Sequence, residues 1–405
     1  MGMLFVCKPG NMRKNDHRIS KRILLLVETS RGFGRRVIEG ITRFALERGD
    51  WTIFLEDRGL LEKEPYWLRK MECNGIIART TSAKTTRILK ELNIPVVELL
   101  GDGKSTKAEV CSDLEMLGQM AAQHFWERGL HRFAFFSIGG AWWVAEVAEA
   151  FRLALAGKKS SCEIKSFFRR TSALSLALVF ESHAEREIVR WLESLPKPTG
   201  ILCPTDAQAV FLSNICHLVG ISVPNETAIL GIDNDTTLCN ATSHPVSSLD
   251  NDGRQIGYEA AVMLLRKMEG RPLPPLPVKI PPLTLVTRQS TDFIAVNDPD
   301  IAKAAQLIRD HALTRIQIDD VVRHVVLSRR TLTRKFQEHL GHTPEHEILR
   351  VRMEHAQQLL LSTALSIREV GISVGYPSVE YFIMAFRRRF GITPMQYRQK
   401  LERFE

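Results

Sequence analysis

The sequence predicts an α/β unit made of two lobes with parallel sheets, followed by an all-α unit. From Lys21 to about Leu285, short apolar runs rich in β-branched residues alternate with amphipathic helical stretches, a pattern typical of βαβ units. Beyond Pro299 the strand patterns end, and helices are separated by Gly, Pro and Ser. The chain of 405 residues also exceeds a single domain of about 150 residues, so we expect two or three domains.

The first unit contains several predicted strands with helices between them. The strands are predicted at Ile23–Val27, Thr52–Leu55, Gly75–Ala78, Pro95–Leu99, Arg132–Phe136, Gly200–Cys203 and Ala228–Ile232. The helices are predicted at Arg35–Glu47, Leu117–Glu127, Ala184–Leu195 and Asp206–Leu218. So many strands fit two α/β lobes better than one, because a single core stops growing at about 250–300 residues.

A proline-rich segment lies near the end of the first unit. Six prolines between Arg271 and Pro282 exclude a regular helix, since each one removes an N–H donor and restricts φ. We interpret this segment as an extended linker or edge strand rather than a proline-recognition motif, because no regular PxxP repeat is sustained. The predicted organisation is a tail at 1–18, a two-lobed unit at 19–291, a linker at 292–300 and a helical unit at 301–405.

Composition and charge limit the class of protein. A hydrophobic fraction of 44% with 25% charged residues is typical of a soluble globular protein. The seven cysteines are scattered and never spaced as C-x-x-C, so neither a disulfide framework nor a thiolate zinc site is indicated. No apolar run approaches 18 residues, and the apolar stretch at the N-terminus is too short for a secretion signal. We therefore expect a cytoplasmic protein without a membrane partner.

The charge favours a polyanionic partner. The net charge is +9, and the segment 297–405 carries 17 Lys and Arg against 13 Asp and Glu. Arginine outnumbers lysine there by 14 to 3, and its forked guanidinium suits contacts with phosphate and guanine. The helical unit is therefore the candidate for nucleic-acid binding.

The helical unit contains an internal repeat. A shift of 50 residues aligns Ser328 with Ser378, Leu332 with Phe382, Phe336 with Phe386, Leu340 with Phe390, Gly341 with Gly391 and Thr343-Pro344 with Thr393-Pro394. In each copy a Ser suited to N-capping begins a helix with apolar residues every four positions, and a Gly suited to C-capping ends it. One helical unit therefore occurs twice, and each copy has a buried stripe.

Each copy has the pattern of a helix-turn-helix. In the first, a short helix at 318–325 and a turn at 326–327 precede the helix that begins at Ser328. In the second, a helix at 367–374 and a turn at 375–377 precede the helix from Ser378 to Phe390. The stretch Glu345–Leu361 joins them as one helix of roughly 25 Å, which could place both reading helices in successive major grooves. The alternative, two similar hairpins that simply pack together with a solvated Arg face, is less favoured because solenoids need three or more copies.

These motifs resemble a known family. Leu327–Leu332, together with Gly375–Ser378 and Phe390–Arg398, resembles the AraC/XylS DNA-binding domain. This resemblance and the outward helix faces predict DNA contacts at Arg329, Arg330, Thr333, Arg334 and Gln337 in the first copy, and at Val379, Glu380, Ile383, Met384 and Arg387 in the second. Gly371 departs from the family, which usually has Ala there, and a helical glycine costs up to about 1 kcal/mol.

The first unit resembles a second family. Arg22–Asp57, Gly231–Asn234 and Leu285–Thr291 are similar to parts of the lactose-repressor and periplasmic sugar-binding fold. Joined to an AraC-type domain, this arrangement resembles the regulators of xylose operons. The resemblance implies a pentose ligand, D-xylose, and an activator that binds double-stranded operator DNA as a homodimer, contacts RNA polymerase and needs no cofactor. Sugar binding is expected to close the lobes and reorient the DNA-binding units.

Candidate sugar contacts follow from the same resemblance. Vicinal hydroxyls need carboxylate and amide partners on loops at strand ends, and the C–H face of the sugar needs a flat apolar surface. The matching positions are Asp113, Asp206, Asp233, Asn234 and Asn251, with Phe33 or Trp143 as the flat surface. An Asp at a strand end is equally often a helix cap. Val147 stands where relatives usually have Arg, and Arg31, Arg35 or Arg36 could either replace that donor or be solvated.

Other functions have weaker support. Gly32-Phe33-Gly34 lacks the third glycine of a dinucleotide fingerprint, because Val37 stands there, and P-loop and H-E-x-x-H motifs are absent from the sequence. His339, His342 and His346 could suggest zinc, but they surround the Gly341 turn without a cysteine. A transport-type sugar-binding protein would need an export signal. We therefore predict a regulator rather than an enzyme.

Overall fold

The structure is a computed structural model, and it describes residues 20–59, 62, 65–80, 82–100, 109–139, 141–156, 161–167, 182–296, 298–314 and 316–402. The predicted tail at 1–18 lies outside the described residues. The strands are β1 (Lys21–Leu26), β2 (Trp51–Leu55), β3 (Gly75–Ala78), β4 (Val96–Glu98), β5 (Val110–Ser112), β6 (Arg132–Ile138), β7 (Ser161–Phe167), β8 (Thr199–Leu202), β9 (Thr227–Ile232), β10 (Ser247–Asp250), β11 (Val278–Ile280) and β12 (Thr284–Val286).

The helices of the first unit alternate with these strands. They are α1 (Gly32–Arg48), α2 (Ala83–Glu91), α3 (Leu114–Trp126), α4 (Trp142–Leu155), α5 (Ser182–Ser194), α6 (Asp206–Leu218), α7 (Thr236–Asn240) and α8 (Gly253–Met268). The helical unit comprises α9 (Pro299–His311), α10 (Ile318–His324), α11 (Arg329–Leu340), α12 (Pro344–Ser362), α13 (Ile367–Ser373), α14 (Val379–Phe390) and α15 (Pro394–Glu402). The predicted class, parallel α/β lobes followed by helices, is confirmed.

The first lobe is built on a four-stranded parallel sheet in the order β2-β1-β3-β4. Helices α1 and α8 pack together on one face of it, and two glycines allow their close approach. A Cβ on Gly40 would lie 1.9 Å from the Arg254 carbonyl oxygen, and one on Gly257 would lie 2.0 Å from that of Val37. Any side chain at either position would therefore force α1 and α8 apart.

The second lobe is built on a six-stranded sheet in the order β12-β10-β9-β8-β6-β7, parallel except for β12. Helices α3 and α4 cover one face through residues such as Phe125 and Phe151. Helices α5 and α6 cover the other through Trp191 and Leu212. Both faces are buried, which explains why the central strands are continuously apolar.

The chain crosses between the lobes three times. It passes from β5 to α3, returns from β10 to α8, and crosses again from β11 to β12. Strand β11 pairs in parallel with β5, with Val278 opposite Val110. The proline-rich segment therefore contains an edge strand, one of the two forms of extended chain that its composition favours.

The helical unit has two separate cores. Leu332, Phe336 and Leu340 belong to the first, and Phe382 and Phe386 belong to the second. Helix α12 contributes residues to both, as the predicted joining helix requires. Within the described part of the chain, no helix is long and apolar enough to cross a membrane.

Candidate functional site

A cavity of about 820 Å³ lies between the two lobes, where the carboxyl ends of several parallel strands meet. The first lobe contributes Glu28, Arg31, Phe33 and Arg79, the second contributes Trp142, Trp143, Glu146, Val147, Thr205 and Asp233, and the crossing after β10 contributes Asn251. We call this cavity the cleft. It combines aromatic surfaces with charged and amide groups, the composition of a site for a polar ligand with apolar faces.

Four of the seven predicted sugar contacts line the cleft, namely Phe33, Trp143, Asp233 and Asn251. Asn251 Nδ2 donates a hydrogen bond to Asp233 Oδ1 over 3.0 Å. The buried Asn251 Oδ1 and Trp143 Nε1 have no hydrogen-bond partner among the described residues. An unpaired buried polar atom is costly, and a ligand hydroxyl would satisfy either one.

The other three predicted contacts have local structural partners instead. Asp113 is the N-cap of α3 and accepts from the Met116 backbone N–H over 3.1 Å. Asp206 is buried and accepts hydrogen bonds from Ser248 Oγ and from the Asp235 backbone N–H. Asn234 bridges the residues Asp250 and Arg288. None of the three is among the residues that line the cleft, because each carboxylate or amide is used to hold a strand end or a helix start.

Sequence reasoning missed Thr205, which lines the cleft one residue before Asp206. It is also the N-cap of α6, and its hydroxyl accepts from the Gln208 backbone N–H over 3.4 Å. The motif therefore pointed to the correct strand end, but the residue that lines the cleft is the neighbouring one. The two residues differ in their position at the helix start, because Thr205 is the N-cap of α6 and Asp206 is its first helical residue.

The three candidate arginines separate into two roles. Arg31 lines the cleft. Arg35 and Arg36 instead join the lobes, the first to Asp235 over 3.3 Å and the second to Asp250 over 3.0 Å. Val147, where relatives usually have Arg, forms part of the buried apolar wall. Arg31 and Arg79 are thus the guanidinium groups at the cleft.

Burial controls the electrostatics of the cleft. It raises the pKa of Asp233 to about 6, although Arg79, Arg36 and Arg31 oppose the shift. Burial and the neighbouring Asp233 also raise the pKa of Asp206. Burial and the charge of Arg79 lower the pKa of Arg31. A ligand whose hydroxyls donate to Asp233 would stabilise its ionised form.

Arg79 is held in place by two neighbours. Its guanidinium is paired with the buried carboxylate of Glu28. It also lies over the Phe33 ring, 4.6 Å from the ring centroid, which is a cation–π geometry. The orientation of the Phe33 ring at the cleft is therefore constrained by the Glu28–Arg79 pair.

The first helix-turn-helix presents an exposed polar surface. Ser328 caps α11 by accepting from the Thr331 backbone N–H over 3.2 Å. The five residues predicted to contact DNA lie together on one open surface with Glu338, and they are Arg329, Arg330, Thr333, Arg334 and Gln337. We call this the first reading surface. Its residues are spaced so that one helix face in a major groove would bring them to base edges and phosphates.

The arginines of the first reading surface differ in their partners. Arg334 is paired with Glu338 over 2.5 Å. Arg329 lies between Asp319 at 3.5 Å and Glu345 at 3.2 Å. Arg330 is exposed and has no ion pair among the described residues. Among the arginines of the first reading surface, Arg330 is therefore the one most available to DNA.

The second reading helix, α14, is capped by Ser378 and ends at Gly391 in the left-handed region. Of its predicted contacts, Glu380, Met384 and Arg387 are exposed, whereas Val379 and Ile383 are half-buried. Tyr381 was not predicted, yet 60% of its surface is exposed. This second surface is more apolar than the first, as expected from the sequence.

The three arginines at 387–389 differ in their surroundings, since Arg387 and Arg388 are exposed and Arg389 pairs with the first unit. Arg389 turns toward the first unit, where both carboxylate oxygens of Glu127 lie 3.4 Å from its Nη2. Burial would raise the pKa of Glu127, but His346 and Arg389 outweigh it and hold that pKa well below its usual range. Arg389 thus pairs with the first unit, although about a third of its side chain (34%) stays exposed.

The three histidines of the zinc alternative have separate partners. His342 Nε2 lies 3.0 Å from Glu347, His346 lies 3.9 Å from Glu127, and His339 lies 3.9 Å from Asp298. Within the described ranges, no three His, Cys, Asp or Glu residues are grouped as a metal site. Each histidine interacts with a carboxylate at a helix end or at the contact between the two units.

Three family models match the chain. Residues 22–111 match a XylR N-terminal domain, residues 122–291 a periplasmic binding protein-like domain, and residues 321–400 a helix-turn-helix domain. The xylose operon regulatory protein of Escherichia coli (strain K12) is 31% identical over 390 residues, which cover 93% of this chain and 96% of that protein. The chain belongs to the family of xylose operon regulators. A second relative, from Haemophilus influenzae, is 30% identical and covers 93% of this chain and 98% of its own.

Solved structures agree with this membership. The structure of the xylose-binding transcription activator xylR covers 94% of this chain with a TM-score of 0.60 and 30% identity. A periplasmic binding protein/LacI regulator from Alkaliphilus metalliredigens covers 67% with a TM-score of 0.54, and at 19% identity it supports the fold of the lobes only. As a member of the xylose operon regulator family, the chain is a sugar-sensing, DNA-binding transcription regulator and not an enzyme.

Proposed function

We propose that this protein binds D-xylose in the cleft and activates pentose-catabolic genes by binding operator DNA through both helix-turn-helix units. The observation that carries the proposal is the pairing of Asp233 with Asn251 at the cleft, which Arg31 and aromatic rings also line. A carboxylate and an amide together accept from and donate to neighbouring hydroxyls, and an aromatic ring suits the C–H face of a sugar. Phe33 and Trp143 offer such rings from opposite lobes.

The sugar acts by favouring closed lobes. Arg35–Asp235 and Arg36–Asp250 already join α1 to the second lobe, and a sugar held by both lobes would add contacts in the closed state only. A ligand shifts such an equilibrium only by its difference in affinity for the two states. Sugar binding is therefore expected to favour one arrangement of the lobes and of the helical unit attached to them.

The proposed active species is a homodimer of chains that each have three segments. The two-lobed unit occupies 19–291, a linker 292–300, and the DNA-binding unit 301–405. The protein acts in the cytoplasm as a homodimer whose four helix-turn-helix units bind operator repeats and recruit RNA polymerase. The matches at 22–111, 122–291 and 321–400 support the division into units. Support for the DNA contacts comes from the shared exposure of the first reading surface.

Two measurements test the function. Calorimetry with a panel of aldopentoses and hexoses should give the highest affinity for D-xylose, and a pentose other than D-xylose as the best ligand would correct the assignment. Gel-shift titration of promoter DNA should show tighter binding when that sugar is present. Equal DNA affinity with and without every sugar in the panel would contradict the proposed function.

A further inference from the structure

Helix α3 reaches from the cleft to the DNA-binding unit. Leu114, Glu115 and Leu117 in its first turn line the cleft. Its 13 residues span about 20 Å, and Glu127, Arg128 and Gly129 just beyond its end lie against residues of α14, α12 and α11 respectively. A single rigid element thus has one end at the sugar site and the other at the reading helices.

Arg128, two residues after the end of α3, forms hydrogen bonds with residues of both units. Its side chain is 1% exposed, and Nε donates to the Thr291 carbonyl oxygen over 2.8 Å. Nη2 donates to Thr287 Oγ1 over 3.2 Å and to Glu354 on α12 over 3.3 Å. Because Arg128 is buried, removing Glu354 would leave its charge uncompensated, so this contact anchors α12 to the end of α3.

A series of hydrogen-bonded ion pairs leads from Glu354 along α12 toward the first reading helix. Glu354 also accepts from Arg350, which makes two hydrogen bonds to the buried Glu347. Glu347 in turn pairs with His342, in the turn that follows α11. The charge network therefore runs from Arg128 to the end of the first reading helix.

The ends of both reading helices rest on the end of α3. A Cβ on Gly341, which closes α11, would lie 2.7 Å from Trp126 Nε1. At the last turn of α14, Arg389 pairs with Glu127. Glu127 is 4% exposed and also lies 3.9 Å from His346 at the start of α12. Neighbouring residues at one helix end therefore contact both helix-turn-helix units.

We propose that Glu127 is a positioning residue that, through Arg389, sets the second reading helix relative to the first and relative to the sugar cleft. This inference rests on the proposed function, because it requires a sugar response that can be transmitted. Lobe closure that displaces α3 changes the Glu127–Arg389 contact, and the spacing of the reading helices changes with it. Arg389 then contributes to the sugar response rather than to DNA contact.

The test compares variants of Arg389 in the full chain. The coupling ratio is the DNA dissociation constant without D-xylose divided by that with it, measured by fluorescence anisotropy on promoter DNA. Ratios of about 5–150 are typical of allosteric coupling. We expect Arg389→Gln to lower the ratio at least about threefold with unchanged calorimetric affinity for D-xylose in the DNA-free protein, and Arg389→Lys to retain most of the ratio because it keeps the charge.

Arg388→Gln is the matched control, since Arg388 is the exposed neighbour with no ion pair among the described residues. Its DNA affinity is expected to change equally with and without sugar, which leaves the ratio unchanged. Glu127→Gln should lower the ratio at least as much as Arg389→Gln does, because Glu127 also contacts His346. Adding Arg389→Gln to Glu127→Gln should lower the ratio no further, because the Glu127–Arg389 contact is already lost.

The outcomes separate the two proposals. An unaltered protein whose DNA affinity ignores every sugar overturns the proposed function and this inference with it. A sugar response that survives both Arg389→Gln and Glu127→Gln overturns this inference alone. Losses that add in the double variant would also overturn it, because the two residues would then act independently.

Discussion

Asn251 Nδ2 donates to Asp233 Oδ1 over 3.0 Å, and this bond joins the crossing after β10 to the end of β9 at the cleft. The amide holds the carboxylate toward the cavity and leaves its own Oδ1 without a partner in the described structure. Two acceptors are therefore oriented together before any ligand arrives. Such preorganisation reduces the entropy lost on binding.

Asp233→Asn should weaken D-xylose binding about tenfold or more. The substitution keeps the shape but removes the charge, and hydrogen bonds to charged groups contribute about 1.5–3 kcal/mol. Calorimetry on the purified protein measures the change. Asp113→Asn is the control, because Asn caps a helix as well as Asp does and Asp113 lies outside the cleft lining. Equal affinities for Asp233→Asn and the unaltered protein would remove Asp233 from the site.

Arg31→Gln should also weaken the sugar, by a factor of about ten. Arg31 lines the cleft, where Val147 supplies no donor, so its guanidinium is the group expected to reach a hydroxyl. Arg43→Gln on the outer face of α1 is the matched control, since Arg43 pairs with Glu47 at the surface. If both variants bind sugar like the unaltered protein, Arg79 becomes the donor to test.

Sugar affinity should rise with pH between about 5 and 7. The pKa of Asp233 is raised to about 6 in the folded protein, so the carboxylate is protonated at the acid end and loses an acceptor. Hydroxyl donors favour the ionised form, and binding near pH 6 should therefore release protons. Calorimetry in buffers of different ionisation enthalpy detects this release. Persistence of the same pH profile in Asp233→Asn would assign it to another group.

The raised pKa of Asp233 also makes the stability of the folded state depend on pH. A carboxyl whose pKa is raised above its unfolded value of 3.8 favours the folded state at low pH, and that contribution is lost as pH rises through about 6. Ligand binding and intrinsic folding therefore respond to Asp233 in opposite directions over this range. Thermal melts with and without D-xylose at several pH values should diverge as pH increases.

Arg330→Ala should cost DNA binding about 1–3 kcal/mol and reduce specificity at one base pair. Among the described residues Arg330 has no ion pair to break, whereas Arg334 must break its ion pair with Glu338 before it can bind DNA. Glu338→Gln should therefore tighten DNA binding, because it releases Arg334 and removes a negative charge near phosphates. Anisotropy titrations over a range of salt measure both effects, with Arg43→Ala as control. Weaker DNA binding by Glu338→Gln would contradict the prediction that Glu338 holds Arg334 away from DNA.

Phe386→Ala should destabilise the second helix-turn-helix by about 3–5 kcal/mol. Phe386 is fully buried among Phe382, Phe390 and Tyr397. Because the cores are separate, D-xylose binding should persist while DNA binding is lost, as calorimetry and gel shifts can establish. Tyr381→Ala removes an exposed ring of the same helix, so the unfolding free energy should change by less than about 0.5 kcal/mol. Loss of sugar binding in Phe386→Ala would contradict the separation.

Much of the fold was predictable because burial leaves a periodic pattern in the chain. The predicted strands near β1, β3, β8 and β9 are apolar throughout, and the 50-residue repeat locates both helix-turn-helix units. Five strands were not predicted, namely β5, β7, β10, β11 and β12. They are short or rich in polar residues, as in the sequence SSLD of β10, so a periodic signal is weak or absent.

Periodicity and the internal repeat were enough to predict the two α/β lobes, the paired reading helices and the strand ends that surround the cleft. Which side chain at each strand end faces the cleft followed only from the packed elements, as with Thr205 and Asp206. The tertiary structure alone assigned Arg31 to the cleft, Arg35 to Asp235 and Arg389 to Glu127. The partners in the last two pairs are about 200 or more residues apart in the chain. Local patterns record which face of an element is buried, but a charge finds its partner only when distant elements are packed together.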